Sequence, residues 1–363
     1  MVVERPRGIR QLGAAAAKAK MKTFNHGLHG CARIRNTHSC FILIRAHPRN
    51  PWLILLCFFR GRWFATIPSM IRLAFSTNAF KKNSLEEAVD AIAAVGYGGV
   101  ELMADRPHAY PADMPGERRR ELAKRLAGDG GSPAAVPARR DGAGLGVSNV
   151  NAFTLFACGD TYHPTWIEDD AGERRRRITH TLAAIELAAE FDAATVSLQP
   201  GGPMIGTSIT RQIAGERFAE GLAAVLTRAK ELGVVLAVEP EPGLFIQTAG
   251  EYLEFKNRFF RDEPAIRMNC DIGHLFCVGD EPADVIRKMP EQIAHVHLED
   301  IGKNRVHQHL TPGKGVIDFP AIFAALDETR YGGWVTVELY PYETTAAGVA
   351  KRAFEHLRPM IDQ

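Results

Sequence analysis

Two kinds of hydrophobic spacing alternate along residues 70–363. Short β-rich runs stand at Ile71–Ser76, Gly99–Leu102, Gly144–Ser148, Thr195–Leu198, Val234–Val238, Ile266–Cys270, Ala294–Leu298 and Val335–Val337. Between them lie longer stretches in which apolar residues recur every three or four positions. This alternation is the signature of parallel βα units. Ser84-Leu-Glu-Glu87 predicts a capped helix start, and Val95-Gly96 its end. Ile178, Leu182, Ile185 and Ala189 place a long helix over Gly172–Phe191. A further helix is predicted from about Ser208 to Leu232, closed by Gly233.

Eight such units in the 294 residues from Met70 to Gln363 predict a single-domain (β/α)8 TIM barrel, a fold that typically takes about 250 residues. A doubly wound open sheet would use the same alternation, but no Gly-rich dinucleotide fingerprint follows the first strand. Active sites of closed barrels lie at the C-terminal ends of the strands. Here those ends carry Ser76-Thr-Asn78, Glu101, Asn149-Val-Asn151, Gln199-Pro-Gly-Gly202, Glu239-Pro-Glu241, Asp271-Ile-Gly-His274, His295-Val-His297-Leu-Glu-Asp300 and Glu338-Leu-Tyr340. The last four strands in a row each deliver a carboxylate or an imidazole to one rim. So much buried charge is costly unless a cation compensates it.

Glu239, Asp271, His297 and Glu338 form a set of three carboxylates and one imidazole. Lacking a thiolate, the set suits Mn²⁺ best, with Mg²⁺, Co²⁺ or Zn²⁺ as alternatives, in an open catalytic site rather than a closed structural one. Glu241 is an alternative to Glu239, since both follow one strand. His295, two residues before His297 on the same strand face, is expected to be a deeper hydrogen-bonded residue. Gly313-Lys-Gly315 lacks the spacing of a phosphate loop. Arg174 to Arg177 read as a solvated helix start.

Composition sets the outer limits. The chain has 363 residues, 46 % hydrophobic and 24 % charged, as expected of a globular protein. Its net charge of +2 hides an asymmetry. Residues 1–69 hold 12 basic residues and one acidic residue, leaving 32 basic and 41 acidic residues in 70–363, a net of −9. An acidic body argues against nucleic acid as the ligand. Residues 1–69 show little helical or strand periodicity and read as a basic extension, disordered or non-native, before the catalytic domain. Their one apolar run, Pro51–Phe59, is too short for a membrane helix. The six cysteines form no CxxC pair and read as free thiols of a reducing, cytoplasmic compartment.

"VEPEPG", "DIGH", "HVHLED", "PGKGVIDFPAIFAAL" and "WVTVEL", in this order and spacing, resemble the xylose isomerase-like TIM barrels, the group of sugar isomerases and epimerases that also includes an inosose dehydratase. The resemblance covers about 290 residues. It implies that Glu239, Asp271, His297 and Glu338 hold a divalent metal, and that His274 binds substrate. It also implies that an arginine shortly after His297 binds substrate; Arg305 is the nearest candidate, with His307 or His309 as substitutes, and Gln199 a further contact. The implied activity is isomerisation or epimerisation of a sugar through an enediolate, with Glu239 and Glu338 as proton carriers. A dehydratase or lyase acting on a keto-sugar or keto-inositol is the alternative. The implied partner is a small carbohydrate or polyol, with neither nucleic acid nor membrane, and a homo-oligomer is possible. An AP endonuclease would need more histidines after the early strands. A non-catalytic sugar-binding barrel would hold no metal.

Overall fold

The structure, a computed structural model, describes residues 71–128 and 144–361, together with the backbone of four short strands between Arg35 and Thr66. The chain divides into two units, Met1–Pro68 and Ser69–Gln363. In the first, strands Arg35–Asn36, Ser39–Arg45, Leu53–Phe59 and Arg62–Thr66 pair antiparallel in sequence order. The low strand periodicity read from this segment did not mark these strands. Phe41–Ile44 and Leu53–Phe59 are continuous apolar runs, so they lack the alternation that marks a half-buried strand. The rest of residues 1–69 lies outside the described residues.

The second unit is the expected closed barrel of eight parallel strands. In chain order they are β1 (Arg72–Ser76), β2 (Gly99–Met103), β3 (Gly146–Asn151), β4 (Thr195–Leu198), β5 (Val235–Val238), β6 (Ile266–Asp271), β7 (Ile293–Leu298) and β8 (Trp334–Val337). β8 pairs with β1 and closes the ring. The helices are α1 (Leu85–Val95), α2 (Gly116–Ala127), α3 (Ala171–Glu190), α4 (Arg211–Leu232), α5 (Ala249–Phe259), α6 (Ile272–Val278), α7 (Pro282–Lys288), α8 (Phe319–Glu328) and α9 (Ala346–Ile361).

The local signals act as expected. Ser84 and Glu87 form the reciprocal capping box of α1, and Gly96 ends that helix with φ 108°. Thr210 caps α4, and Gly233 ends it at φ 70°. The helices bury apolar faces, and Ile92, Phe218, Leu222, Tyr252, Ile322 and Leu357 all lie in one continuous core.

Two departures in register shape the rim. β3 runs on to Asn151, three residues past the expected end at Ser148. A bulge between Val100 and Glu101 lets Glu101 pair with Asn149 rather than Ser148. Asn149 and Asn151, expected in the loop, are therefore strand residues of one face. A second bulge, between Met268 and Asn269 of β6, sets Asn269 level with His295 and Asp271 level with His297.

Candidate active site

Glu239, Asp271, His297 and Glu338 meet at the C-terminal ends of β5 to β8, with one ligand atom from each within 4.8 Å of the others. All four are buried. His297 Nδ1 lies 3.2 Å from Glu239 Oε1 and 3.8 Å from both Asp271 Oδ2 and Glu338 Oε2. The other ring nitrogen, Nε2, donates to Glu101 Oε2 at 2.6 Å. With a proton fixed on Nε2, Nδ1 is the ring nitrogen turned to the carboxylates and the one that can give up its proton to a cation. Glu101 is itself held by Asn149 at 2.9 Å and Asn151 at 3.3 Å.

Glu338 is held just as firmly. Its Oε1 accepts from Asn78 Nδ2 at 2.9 Å and Asn151 Nδ2 at 3.1 Å, which leaves Oε2 toward His297. Asp271 Oδ1 accepts the His274 backbone N–H at 2.7 Å, capping α6. Glu299, two residues past His297, is a further buried carboxyl that packs against Gly273. A side chain at Gly273 would place its Cβ 1.6 Å from Glu299 Oε1, so glycine at position 273 leaves the room that the Glu299 carboxyl occupies.

The ionisation of these groups reflects crowded negative charge. Burial pushes the carboxyls of Glu338, Glu299 and Glu241 well above the ordinary range, and raises Glu239 too. Burial also opposes ionisation of Asp271, but His274, His297 and His309 outweigh it and hold Asp271 down at about 2. His297 is desolvated, yet the carboxylates of Glu101, Glu239 and Glu338 lift it well above its ordinary value. No Lys or Arg pairs with this set among the described residues. Glu239 Oε2 and Asp271 Oδ2 are buried without a hydrogen-bond partner. Hard oxygen donors, one imidazole lone pair and two orphaned carboxylate oxygens fit a divalent cation.

Above the set opens a cavity of about 300 Å³. One wall carries His274, His307 and His309; another carries Lys81, Phe156 and Tyr340. His274 Nδ1 lies 3.2 Å from the Pro240 carbonyl, and His309 Nδ1 3.1 Å from that of Glu338. A carbonyl can only accept, so both rings carry hydrogen on Nδ1 and offer Nε2 as an acceptor. His274 Nε2 is buried and unpartnered, and His309 Nε2 lies 3.1 Å from His307 Nε2. These three imidazoles form a second group able to hold a metal. Tyr162 Oη donates to Glu241 Oε1 at 3.0 Å, and both residues line the cavity.

The structure thus brings together every expected metal ligand, with Glu239 rather than Glu241 in the set. His274, His307 and His309 line the cavity as expected. Arg305 is elsewhere: its guanidinium donates to the Phe276 carbonyl at 2.9 Å, pairs with Glu281 at 3.4 Å and lies over the Phe276 ring. Gln199 is buried with its amide donating to the Tyr162 carbonyl, so it supports the loop after β3 rather than lining the cavity. His295 is buried 3.6 Å from Glu101, as a deeper residue should be.

The solvated reading of Arg174 to Arg177 needs correction at its last member. Arg177 is fully buried and donates to the carbonyls of Ala152, Phe153 and Pro164. Helical spacing turns only that arginine inward. Gly313-Lys-Gly315 is no phosphate loop: it wraps the buried carboxylate of Asp300, which accepts the N–H groups of Gly313, Gly315 and Ile317. Sequence reasoning missed Glu101 as a partner of His297, and Asn78 and Asn151 as partners of Glu338. Their place at strand ends was the available signal. Lys81 was missed altogether, since it lies five residues past β1. Cys158, Cys270 and Cys277 are free thiols, as expected; Cys31, Cys40 and Cys57 lie outside the described side chains. No helix of the described residues is long and apolar enough to cross a membrane.

Known proteins agree with this architecture. The sequence profile of the xylose isomerase-like TIM barrels matches residues 89–360, and the chain belongs to that family. Among curated proteins, the inosose dehydratase of Clostridium perfringens is 25 % identical over 275 residues, spanning 71 % of this chain and 83 % of the relative. Among solved structures, the IOLI protein with a binding zinc atom superposes with a TM-score of 0.63 at 16 % identity. It covers 80 % of this chain and 98 % of its own. A D-tagatose 3-epimerase-like protein gives 0.61 at 20 % identity, with the same coverage. At these identities the structural likenesses speak for the fold.

Proposed function

We propose that this protein is a metal-dependent enzyme that removes a proton from the carbon next to the carbonyl of a keto-sugar or keto-inositol. The observation that carries the reading is the convergence of Glu239, Asp271, His297 and Glu338 beneath one cavity, with Glu338 fixed by two amides. Glu239, Asp271, Glu338 and His297 Nδ1 would hold the cation. When bound, a divalent cation polarises a carbonyl and offsets the charge that develops on its oxygen. Mn²⁺ suits the donors best, and the zinc of the IOLI structure makes Zn²⁺ the first alternative.

The chain's own groups do the rest. Glu239 and Glu338 enter from opposite sides of the set and can each carry a proton on one face of the substrate carbon. Asn78 and Asn151 hold Glu338 in place as its charge changes. His274 Nε2, a buried acceptor, would receive a substrate hydroxyl. Phe153, Phe156 and Tyr162 give the cavity apolar walls that a sugar ring can stack on. Return of the proton to the other face gives epimerisation, and to the neighbouring carbon isomerisation. Expulsion of a hydroxyl one carbon further gives dehydration, a reading favoured by the name of the curated relatives. The free thiols fit a reducing cytoplasm.

The test combines metal analysis with proton exchange. Purified protein should hold close to one divalent ion per barrel at the carboxylate set. Chelation should abolish deuterium entry from D2O into ketoses or keto-inositols, and Mn²⁺, Co²⁺, Mg²⁺ or Zn²⁺ should restore it. Full exchange by metal-free protein would overturn the reading.

A further inference from the structure

The proton-removal reading leaves the cavity's one Lys or Arg among the described residues without a task. Lys81 follows β1 and lines the same cavity as Glu338 and His274. Its Nζ lies 4.1 Å above the Tyr340 ring and 4.6 Å above the Phe156 ring. Two aromatic faces therefore hold the ammonium from its flanks. Among the described residues it makes no hydrogen bond and no ion pair, although it is partly buried. A half-buried lysine usually ends on a carboxylate or in water. This one ends beside a cavity whose other lining residues include no Lys or Arg.

β1 and β6 stand on different sides of the ring, so Lys81 and His274 face the substrate from different walls. Glu338 directly follows β8, the strand that pairs with β1, and Lys81 lies five residues past β1. A ketone seated over Glu239, Asp271, His297 and Glu338 would lose its proton at the base of the cavity. The ammonium is then the cationic donor on the cavity wall for an oxygen one carbon further out. Burial lowers the Lys81 ammonium from its ordinary value, against the opposing pull of the carboxylates of Glu343, Glu338 and Asp105. That direction makes it a better acid.

We propose that Lys81 is the general acid that turns proton removal into loss of water, by protonating the β-hydroxyl of the substrate as its C–O bond breaks. The proposal rests on the enolising reading of the site. A carboxylate takes the proton from the α-carbon, and the C–H electron pair enters the π system. The carbonyl then re-forms, a double bond joins the α- and β-carbons, and the C–O pair leaves with the hydroxyl oxygen. Lys81 Nζ supplies the proton that makes this group water. The carboxylate's proton returns through solvent to the amine, so the sum is the ketone giving an unsaturated ketone and water. No oxidant or further reactant is needed.

The experiment uses the full-length, Mn²⁺-loaded protein with 2-keto-myo-inositol in D2O, following α-deuteration and water loss together by NMR. Wild type should do both. Lys81→Met, which keeps the length of the side chain between the two rings, should retain exchange within about threefold while water loss falls at least about 100-fold. Lys81→Arg keeps the charge without a transferable proton and should not restore water loss. Rescue by arginine, equal loss of both signals in Lys81→Met, or unchanged water loss would overturn the acid role. Wild-type exchange without water loss would also overturn it, while leaving the enolising reading intact. Absence of exchange with this ketone and with a panel of ketoses would remove both.

Discussion

His297 sits between two kinds of carboxylate. Glu101 takes its Nε2 proton, while Glu239, Asp271 and Glu338 surround Nδ1. Removing the outer carboxylate should therefore weaken the inner site without touching any proposed ligand. Glu101→Gln is expected to lower metal affinity about 10- to 100-fold, measured by competition with a chromophoric chelator. Unchanged affinity would mean that the ring needs no such partner. The residues of "DIGH" should separate in the same assay. Asp271→Asn loses metal because a neutral amide gives up the charge that holds a hard cation. His274→Ala keeps the metal but loses exchange activity by about 10²-fold or more, since its free Nε2 faces the cavity. If His274→Ala sheds the ion while Asp271→Asn retains it, these two roles are reversed.

At the scale of elements, the loop after β3 shows how a barrel carries a shaped mouth. Asp105, just past β2, accepts N–H groups from Phe156 and Ala157 and the hydroxyl of Thr154. Arg177 of α3 reaches up from below and takes three carbonyls of the same loop. Together they fix the segment that presents Phe153, Phe156 and Tyr162 to the cavity. Arg177→Met would leave those buried carbonyls unpaired, at a cost of about 2–4 kcal/mol. The urea midpoint should fall accordingly, and substrate affinity with it; an unchanged midpoint would show that the loop stands without the arginine. The sequence hid this device. In "RRRR" nothing but helical phase marks the one arginine that is buried, and the chain gives no sign that Asp105 will meet residues some 50 positions later. Strand-end residues such as Glu239, Asp271, His297 and Glu338 were legible because closure of the barrel forces them together. Glu101 and Asn151 were legible as positions but not as partners, because two bulges set which of them face His297 and Glu338. Lys81 was illegible because a loop, not a strand, brings it to the cavity.

At the scale of the whole molecule, the barrel contains its own closure. β1 pairs with β8, and the core runs unbroken from Ile71 to Leu357. A chain beginning at Met70 should therefore fold and keep exchange activity close to that of the full chain, as size-exclusion profile and NMR exchange would report; an insoluble or inactive product would place residues 1–69 among the barrel's supports. Within the barrel, acid sensitivity should come partly from histidines outside the metal set. His180 of α3 is buried, stacked on Tyr110 and near Arg177, with no partner for either ring nitrogen among the described residues. Burial, helped by the Arg177 charge, holds its imidazole down at about 3. His108, buried against the Phe80 carbonyl, is lowered to about 4 by burial. In both, the folded state binds its proton less readily than the unfolded chain. Above pH 6.5 neither state is protonated, and these rings add no pH dependence to stability. Between about pH 6.5 and 3 the unfolded chain takes up protons that the folded barrel refuses, so stability falls as pH falls. His180→Phe should remove its share, on the order of a few kcal/mol across that window. The variant should match or exceed wild type at pH 7.5, because two unpartnered ring nitrogens are gone, and should lose less stability on going to pH 5. Parallel losses in the two proteins, read from urea midpoints at each pH, would mean that His180 gains its proton without unfolding.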